Sequence, residues 1–543
     1  MAYLFRSVCA GLVLVVGGAA AAGAQEPREA PPLPSGPMTL EQVLQLAEAR
    51  SEALGIARAG VQRAEGEQVR ARSGLFPQLS VSGSYDRALA SEFSSVFGSD
   101  AGPSCPPFAL NPGAPLDARV AEIERAIDCG AIGSALFGGG DDVDLPFGRE
   151  NTWRANIVFS QSVYSGGRLG AQADVAAAAR ESAELGVNGA RAQLLFDVTQ
   201  AFYDAALSER LVQIAEATLA QAEATVQQAR VQYEAGAQPE FELLRAQVTR
   251  DNQRPAVIRQ TANRDVAMLR LKQLLDLPES YDLTLVAPLE GPVTPPAPFA
   301  TRLAEFEREV EAIDIASRNA VREVASLVRL REASLRSALA ERRPSVSINS
   351  TYSQVAYPQD VFPTGDFRTN WTIGATVDLP ILTGGRLRGA EMVARADLEE
   401  SRLQLQRTRE LAQLDASSAV AELAAARAAL EASTGTVSQA SRAYQIADVR
   451  YRAGVSTQLE LSDARLQLQQ AEANRAQAAR DLQVARARIA LLPDLPIGAT
   501  SGIAAAAAAA PVPAPAAPPP SSAAPGVIRA SSTQANRPGG GTE

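Results

Sequence analysis

The sequence predicts a duplicated α+β fold in which each half contains two strands and two long helices. Three observations lead to this prediction: landmarks that recur at a fixed spacing, four segments that alternate apolar with polar residues, and long proline-free stretches with apolar residues at three- and four-residue steps. The 543 residues are 46% hydrophobic but only 5% aromatic. That composition suits long alanine-rich helices better than several separate globular cores.

The composition excludes several classes of function. The chain has no histidine, which excludes His-ligated zinc, Ser-His or Cys-His catalysis and an imidazole pH switch. Carboxylates are plentiful but stand in no catalytic arrangement, so we expect no enzyme, no catalytic residues, no metal site and no cofactor. The net charge of -10 argues against a nucleic-acid partner.

The first residues predict export. Arg6 precedes an apolar run over 8–16 that is too short to span a bilayer, and Ala22-Gly23-Ala24 fits a signal-peptide cleavage site. We therefore expect a signal peptide over 1–24 and a proline-rich N-terminal segment over 25–38. Cys9 lacks the spacing of a lipid-attachment site, and no later segment approaches the ~20 apolar residues of a spanning helix.

An internal duplication is the strongest feature. Three pairs of landmarks differ by 218 positions: Trp153 and Trp371, Gly166 and Gly384, and Tyr233 and Tyr451. Pro77 and Pro344 differ instead by 267, so the first half carries 267 - 218 = 49 additional residues before Trp153. We expect a first repeat over 39–277 with an inserted extracellular loop at about 89–150, a proline-rich connector over 278–303, and a second repeat over 304–492.

Four segments have the two-residue period of β-strands. They are expected at about 76–88, 152–164, 345–356 and 370–382. Leu79, Val81 and Tyr85, for example, alternate with serines and Asp86. Strands of this length can cross an outer membrane, and they fit a soluble sheet as well. The long helices that follow favour the membrane interpretation.

Each strand pair precedes a helical stretch of about seventy residues, on the order of 100 Å long. Apolar residues there step by three and four, as in a coiled-coil seam. Gly236 and Gly454 are expected to end these helices, and return helices begin near Pro239 and Thr457. We expect Pro255 to kink the first return helix.

The remaining segments are connective. Cys105 and Cys129 lie in the insertion, where proline and glycine predict a loop. Pairing is expected in an oxidising compartment, and two free thiols are the alternative. Residues 493–543 are rich in alanine and proline and are expected to be disordered.

Short motifs in this order resemble a known family. They are Thr39-Leu40-Glu41-Gln42-Val43-Leu44, Leu75-Phe76-Pro77, Ser165-Gly166-Gly167-Arg168, Tyr233-x-x-Gly236, Thr383-Gly384-Gly385-Arg386 and Tyr451-x-x-Gly454. Over about 39–492 the sequence resembles the TolC-type outer-membrane efflux and secretion channels. The resemblance implies a membrane α+β fold: a homotrimer whose twelve-stranded outer-membrane β-barrel, with four strands per chain, continues into a long periplasmic α-helical coiled-coil tunnel. The residues alone allow two chains or three, and a conduit needs the larger number.

The resemblance also implies a function. The leading expectation is the passive exit duct of a tripartite efflux system, seated in outer-membrane lipid with a periplasmic extension. Its expected partners are a periplasmic adaptor protein and an inner-membrane transporter. The duct of a type I protein secretion system is an alternative within the same fold. A periplasmic coiled-coil adaptor without a barrel is an alternative of another class, which predicts one helical hairpin rather than two.

Candidate site residues follow from the same resemblance. The adaptor-docking tips would lie at the two helix-helix turns, at Gly236, Ala237, Gly454 and Val455; the residues themselves show only that the helices end there. The gate would comprise Glu460, Asp463, Tyr451 and Glu242, with the two acids of the return helix facing the tunnel axis and Glu242 bonded to Tyr451. The gate arginine of the family is Ser456 here. Thr457 and Glu460 also form a capping-box pattern, which would turn Glu460 back onto its own helix.

Overall fold

The computed structural model describes residues 36–89, 106, 108–129, 150–286, 289, 314–358, 361–362 and 367–498. In chain order the elements are α1 (Leu40–Arg50), α2 (Glu52–Ser73), β1 (Gln78–Arg87), α3 (Leu116–Asp128), β2 (Asn151–Tyr164), α4 (Arg168–Glu234), α5 (Glu240–Leu274), a 3-10 turn (Ile315–Ser317), α6 (Asn319–Ala340), β3 (Ser345–Ala356), β4 (Phe367–Asp378), α7 (Arg386–Arg452) and α8 (Gln458–Leu491). The expected signal peptide, Cys105, most of the connector and the tail after Gly498 lie outside the described residues.

The helix boundaries reproduce the duplication. Both ends of α2 and α6 differ by 267 positions (319 - 52 and 340 - 73). Both ends of α4 and α7 differ by 218 (386 - 168 and 452 - 234), and each of these helices has 67 residues. The two repeats therefore fold alike, element by element.

The four strands form one antiparallel sheet in the order β1-β2-β3-β4. Its register places the apolar residues opposite one another on one face: Leu79 with Phe159, Ile157 with Tyr352, and Val346 with Val377. In the single chain this face is open, and Trp371 and Ile373 are 74% and 78% exposed. The other face carries serine, threonine, asparagine and the Asp86–Arg154 ion pair. The alternating pattern in the sequence is therefore confirmed.

An aromatic pair recurs at the same place in both halves. The rings of Tyr85 and Trp153 have centroids 4.9 Å apart, and those of Tyr352 and Trp371 are 6.5 Å apart. Both pairs lie toward the end of the sheet that is remote from the long helices. Aromatic residues at such ends are typical of strands that meet a membrane interface.

Double glycines make the turn from strand to long helix. Gly166 and Gly167 have φ angles of +65° and +93°, and their counterparts Gly384 and Gly385 have +57° and +89°. A Cβ on Gly166 would lie 2.8 Å from the carbonyl oxygen of Ala340. Only glycine fits this approach between the first repeat and α6.

The long helices pack as two hairpins, α4 with α5 and α7 with α8, and α8 also packs on α4. Helices α2 and α6 lie against α4. Small residues allow the close packing: Val226, Ala229 and Ala246 meet between α4 and α5. A larger cluster joins α7 to α8 and contains Ala416, Ala419, Leu423, Leu482, Ala485, Ile489 and Leu492.

The structure corrects one expectation about local structure. The insertion was predicted to be a loop, but its described part contains the 13-residue helix α3. The flanking prolines and glycines obscured a helical pattern in Leu116–Asp128. Helix α5 begins at Glu240 with Pro239 as its N-cap, in agreement with the expected start, and it is continuous through Pro255, where the kink stays a prediction. Among the described residues, none of the helices is apolar enough over sufficient length to cross a membrane.

Candidate functional site

The two helix-helix turns have the same capping geometry. At the end of α4 the N–H of Ala237 donates to the carbonyl of Gln232 at 2.8 Å, and that of Gly236 donates to Tyr233 at 2.9 Å. Val455 and Gly454 repeat these bonds at the end of α7. The pattern is a Schellman motif, which needs a left-handed residue. Gly236 and Gly454 supply it with φ angles of +70° and +69°, so both predicted helix ends are confirmed.

Apolar side chains surround these turns in the single chain. Val455 is 66% exposed, and Phe241 and Leu459, which occupy equivalent positions of the two repeats (459 - 241 = 218), are also exposed. Ala237 is exposed as well. The turns thus present a small apolar surface in the single chain.

Tyr451 lies buried at the junction of the two hairpins. It is 1% exposed, and its hydroxyl makes no hydrogen bond with any described residue. The expected hydrogen bond from Tyr451 to Glu242 is therefore absent. Burial raises the pKa of the phenol, the nearby Glu242 carboxylate raises it further, and Arg465 opposes the shift.

Glu242 instead meets Gln458, the first residue of α8. With the amide oriented to satisfy its neighbours, the Gln458 nitrogen donates to the Glu242 carbonyl and to Glu242 Oε2, both at 3.2 Å. The Gln458 oxygen accepts from the N–H of Ala246 at 3.0 Å. One buried amide therefore joins the start of α8 to the first turns of α5.

A buried arginine makes the second link between the hairpins. Arg465 on α8 is 4% exposed, and its Nη2 donates to Thr225 Oγ1 on α4 at 2.8 Å. Sequence analysis did not single out Gln458 or Arg465. Their partners are far away in the sequence, on α5 for Gln458 and on α4 for Arg465, and only the packing of the two hairpins brings them together.

The two acids expected at the gate both lie on the exposed surface of α8. The Thr457 hydroxyl caps the helix by accepting from the N–H of Glu460 at 3.4 Å. The Glu460 carboxylate lies 3.9 Å from Arg450 Nη2 on α7, instead of turning back to Thr457 as the capping-box alternative required. Asp463 is exposed, and no ion pair is found for it within the described part of the chain.

The repeat offset identifies one further charged residue at this level. Glu460 corresponds to Glu242 (460 - 218), and Asp463 corresponds to Arg245 (463 - 218). The first hairpin thus carries an arginine where the second carries an aspartate. This difference could have been found in the sequence, because the offset of 218 that matches the two turns also matches Asp463 with Arg245.

The cysteines of the insertion remain partly tested. Cys129, at the C-cap of α3, is disulfide-bonded. Its expected partner, Cys105, lies outside the described residues. The Cys105–Cys129 pairing therefore stays a prediction.

A sheet with one apolar face and two hairpins, each built on a 67-residue helix on the order of 100 Å long, are typical of an outer-membrane channel with a periplasmic extension. A model of the outer membrane efflux protein family matches residues 136–276 and 314–492, more than half of the chain. The chain belongs to the outer membrane efflux protein family. It is a non-enzymatic exit duct of the outer membrane whose helices extend into the periplasm.

Solved structures of outer-membrane proteins have a similar fold. The outer membrane protein VceC of Vibrio cholerae aligns with a TM-score of 0.63 at 18% identity, over 84% of this chain and 96% of that chain. The CmeC outer membrane channel of Campylobacter jejuni gives 0.61 at 16% identity, over 84% and 86%. The MtrE outer membrane channel of Neisseria gonorrhoeae, solved in an open state, gives 0.62 at 16% identity, over 84% and 89%. No curated protein sequence matches this chain.

Proposed function

We propose that three copies of this chain form one duct that carries small molecules from the periplasm to the exterior. The duct would receive them from an inner-membrane transporter through a periplasmic adaptor protein. The observation that carries the proposal is the joining of a four-stranded sheet, apolar on one face, to two helices of 67 residues, each packed against its own return helix. The efflux description of the family favours this function over protein secretion. The presence of two helical hairpins argues against the periplasmic adaptor, which would have only one.

The sheet supports assembly from several chains. Within the described residues, β1 and β4 each have one edge without a partner strand. Open strand edges are not tolerated in lipid, so neighbouring chains must pair β4 with β1 until the sheet closes. Two chains would give eight strands, a barrel nearly filled by its own side chains, whereas three give twelve strands and an open lumen.

The assembly test is heat-modifiable migration. On a gel run under mildly denaturing conditions, unheated protein from outer-membrane extracts should migrate at three times the mass of the chain. After boiling, it should migrate as the monomer. A species that migrates as the monomer without heating, together with recovery in the soluble periplasmic fraction, would overturn the duct.

The exposed turns support adaptor docking at the tips. Gly236 and Ala237 on the first hairpin, and Gly454 and Val455 on the second, would lie at the far periplasmic end. Bulky substitutions such as Ala237→Trp and Val455→Trp should abolish crosslinking to the adaptor while leaving the heat-modifiable trimer intact. Unchanged crosslinking and efflux would place the docking surface elsewhere.

The acids of α8 support a gate at the same end. Three chains would gather three copies of Glu460 and of Asp463 around one aperture, next to Tyr451 and Glu242. Crowded carboxylates attract cations, and the neighbouring Arg245 and Arg450 weaken this field. The Gln458–Glu242 and Arg465–Thr225 bonds hold the two hairpins together and would keep the aperture narrow.

Cation block of single-channel current tests the gate. Divalent or trivalent cations should block the wild-type channel at low concentration, and Glu460→Ala with Asp463→Ala should relieve that block. Glu431→Ala is the matched control, because Glu431 is an exposed carboxylate on α7, between about five and six helical turns from Tyr451. Equal block in the double variant and the control would refute the acidic ring.

A further inference from the structure

Helix α3 of the insertion presents an apolar stripe that is open to solvent. Leu116, Val120, Ile123 and Ile127 are 75%, 45%, 37% and 62% exposed. Their spacings of four, three and four place all four side chains on one face of the helix. Within the described part of the chain, this face has no covering element.

The opposite face of α3 is already occupied by its own loop. Arg125 Nη2 donates to the carbonyl of Pro106 at 3.2 Å, and Glu122 accepts from the N–H of Ala109 at 3.4 Å. Arg125 and Glu122 also pair with each other. Pro106 and Ala109 therefore contact one side of α3, and the apolar stripe is the side left for another partner.

The stripe and its flanks match the pattern of a short coiled coil. In a heptad labelled a to g, steps of four, three and four place Val120 and Ile127 at position a, and Leu116 and Ile123 at position d. Arg119 then occupies a g position, and Glu124, five residues later, an e position. Parallel coiled coils pair g of one helix with e of the next at this spacing. Within the described residues, neither Arg119 nor Glu124 has an ion pair.

The topology supplies copies of the chain as the partner. Helix α3 lies in the connection from β1 to β2, at the end of the sheet remote from the long helices. In the trimer of the proposed function, on which this inference rests, rotation about one axis brings three such helices to the same mouth, and a symmetric bundle of the three along that axis is parallel. Two heptads are too short to associate as free peptides, but a shared barrel holds them at an effective concentration in the millimolar range.

We propose that the α3 helices of three protomers pack through Leu116, Val120, Ile123 and Ile127 into a short parallel three-helix coiled coil that caps the outer mouth of the duct. Arg119 of each protomer pairs with Glu124 of the next protomer. The charge pattern disfavours the membrane surface as the occupant. Asp117, Glu124 and Asp128 border the stripe on one side, and anionic lipid headgroups repel them.

The g–e pairing gives a direct crosslinking test on the purified full-length trimer. In Arg119→Cys/Glu124→Cys, a short bismaleimide should join each chain to both neighbours and produce a covalent trimer that survives boiling. The two positions are 140° apart on one helix, so the reagent cannot bridge them within a chain. The single variants Arg119→Cys and Glu124→Cys are the matched controls, because one thiol per chain can join at most two chains, so neither should give a covalent trimer after boiling.

The two proposals fail in different ways. A heat-modifiable trimer that yields no covalent trimer with Arg119→Cys/Glu124→Cys refutes the cap and leaves the duct intact. If unheated protein never migrates as a trimer, the duct itself fails.

Lipid contact and conductance provide second readouts. A fluorophore on Ile123→Cys should resist quenching by brominated lipid in reconstituted trimers, since the cap buries the stripe between helices; strong quenching would assign the stripe to the membrane and overturn the proposal. Ile123→Asp/Ile127→Asp should separate the helices and increase single-channel conductance, whereas Ala121→Asp should not. Equal conductance in the two variants would contradict a cap over the mouth.

Discussion

Asp415 is the centre of a buried ion network that fastens the start of the second repeat to its long hairpin. Its Oδ2 lies 2.7 Å from Arg318 Nη2, and its Oδ1 lies 2.8 Å from Arg488 Nη2. Arg318 is fully buried and also donates to the carbonyl of Ala412 at 2.9 Å. Arg488 additionally pairs with Glu422. Two arginines therefore depend on one carboxylate.

Asp415→Asn should destabilise the protein strongly. The amide keeps the shape of the side chain but removes the charge, which leaves Arg318 buried without a counter-ion. Breaking a buried pair in this way costs about 3–5 kcal/mol of unfolding free energy. Arg318→Met in the same chain should recover part of the loss, because the unpaired charge is then gone.

The duplication offers a matched control. Asp197 holds the equivalent position in the first repeat (415 - 218). Burial raises the pKa of Asp197, and a bond from Gln193 at 2.8 Å and the more distant Arg270 only partly offset this effect. The surroundings of Asp197 therefore stabilise its charged form only weakly, and replacing it with a neutral amide removes little stability. Asp197→Asn should change the unfolding free energy by less than about 1 kcal/mol.

The assay is urea unfolding followed by far-UV circular dichroism, at one protein concentration and with the slope compared between variants. Asp415→Asn should lower the midpoint, Asp197→Asn should not, and the Asp415→Asn/Arg318→Met chain should lie between. Equal midpoints for the two asparagine variants would refute the assignment of the network as the source of stability.

Three further predictions follow from local geometry. Gly454→Ala should destabilise the folded chain by about 1–2 kcal/mol, because a residue with a side chain is strained at a φ of +69°. Gly435→Ala, within α7, should stabilise it by about 0.5–1 kcal/mol. The midpoints of thermal unfolding distinguish the two variants. Burial raises the pKa of Tyr203 to about 12, so the folded state favours its neutral form. Stability should then fall as pH rises from about 10 toward 12, and Tyr203→Phe should reduce that fall in the urea midpoint. Arg465→Met should loosen the hairpin junction and raise the open probability in single-channel records, and an unchanged open probability would show that its bond to Thr225 does not hold the gate.

Most of the fold could be predicted from local patterns in the sequence. Alternation of apolar and polar residues predicted the strands, proline-free heptads predicted the 67-residue helices, and Gly236 and Gly454 predicted the turns. Each of these structures depends on residues that are close together in the sequence. Helix α3 was missed although its apolar residues have helical spacing, since flanking proline and glycine dominated the interpretation.

The site was less accessible to sequence reasoning. Arg465 and Thr225 are 240 residues apart, and Asp415 and Arg318 are 97 apart. A buried polar pair of this kind has no local periodicity, so it becomes visible only when the helices pack. The absent Tyr451–Glu242 bond shows the same limit, because Gln458 takes the place beside Glu242 that the resemblance assigned to the tyrosine.

Electrical recording from the purified protein in a planar lipid bilayer tests the central claim most directly. If three chains close into one barrel with a continuous lumen, heat-modifiable trimer should insert from one side and give discrete current steps, which cations added on the side of the helices should block. The boiled monomer should give no steps. Intact trimer that inserts into the bilayer and passes no current under any tested voltage or cation would contradict the account of this protein as a duct.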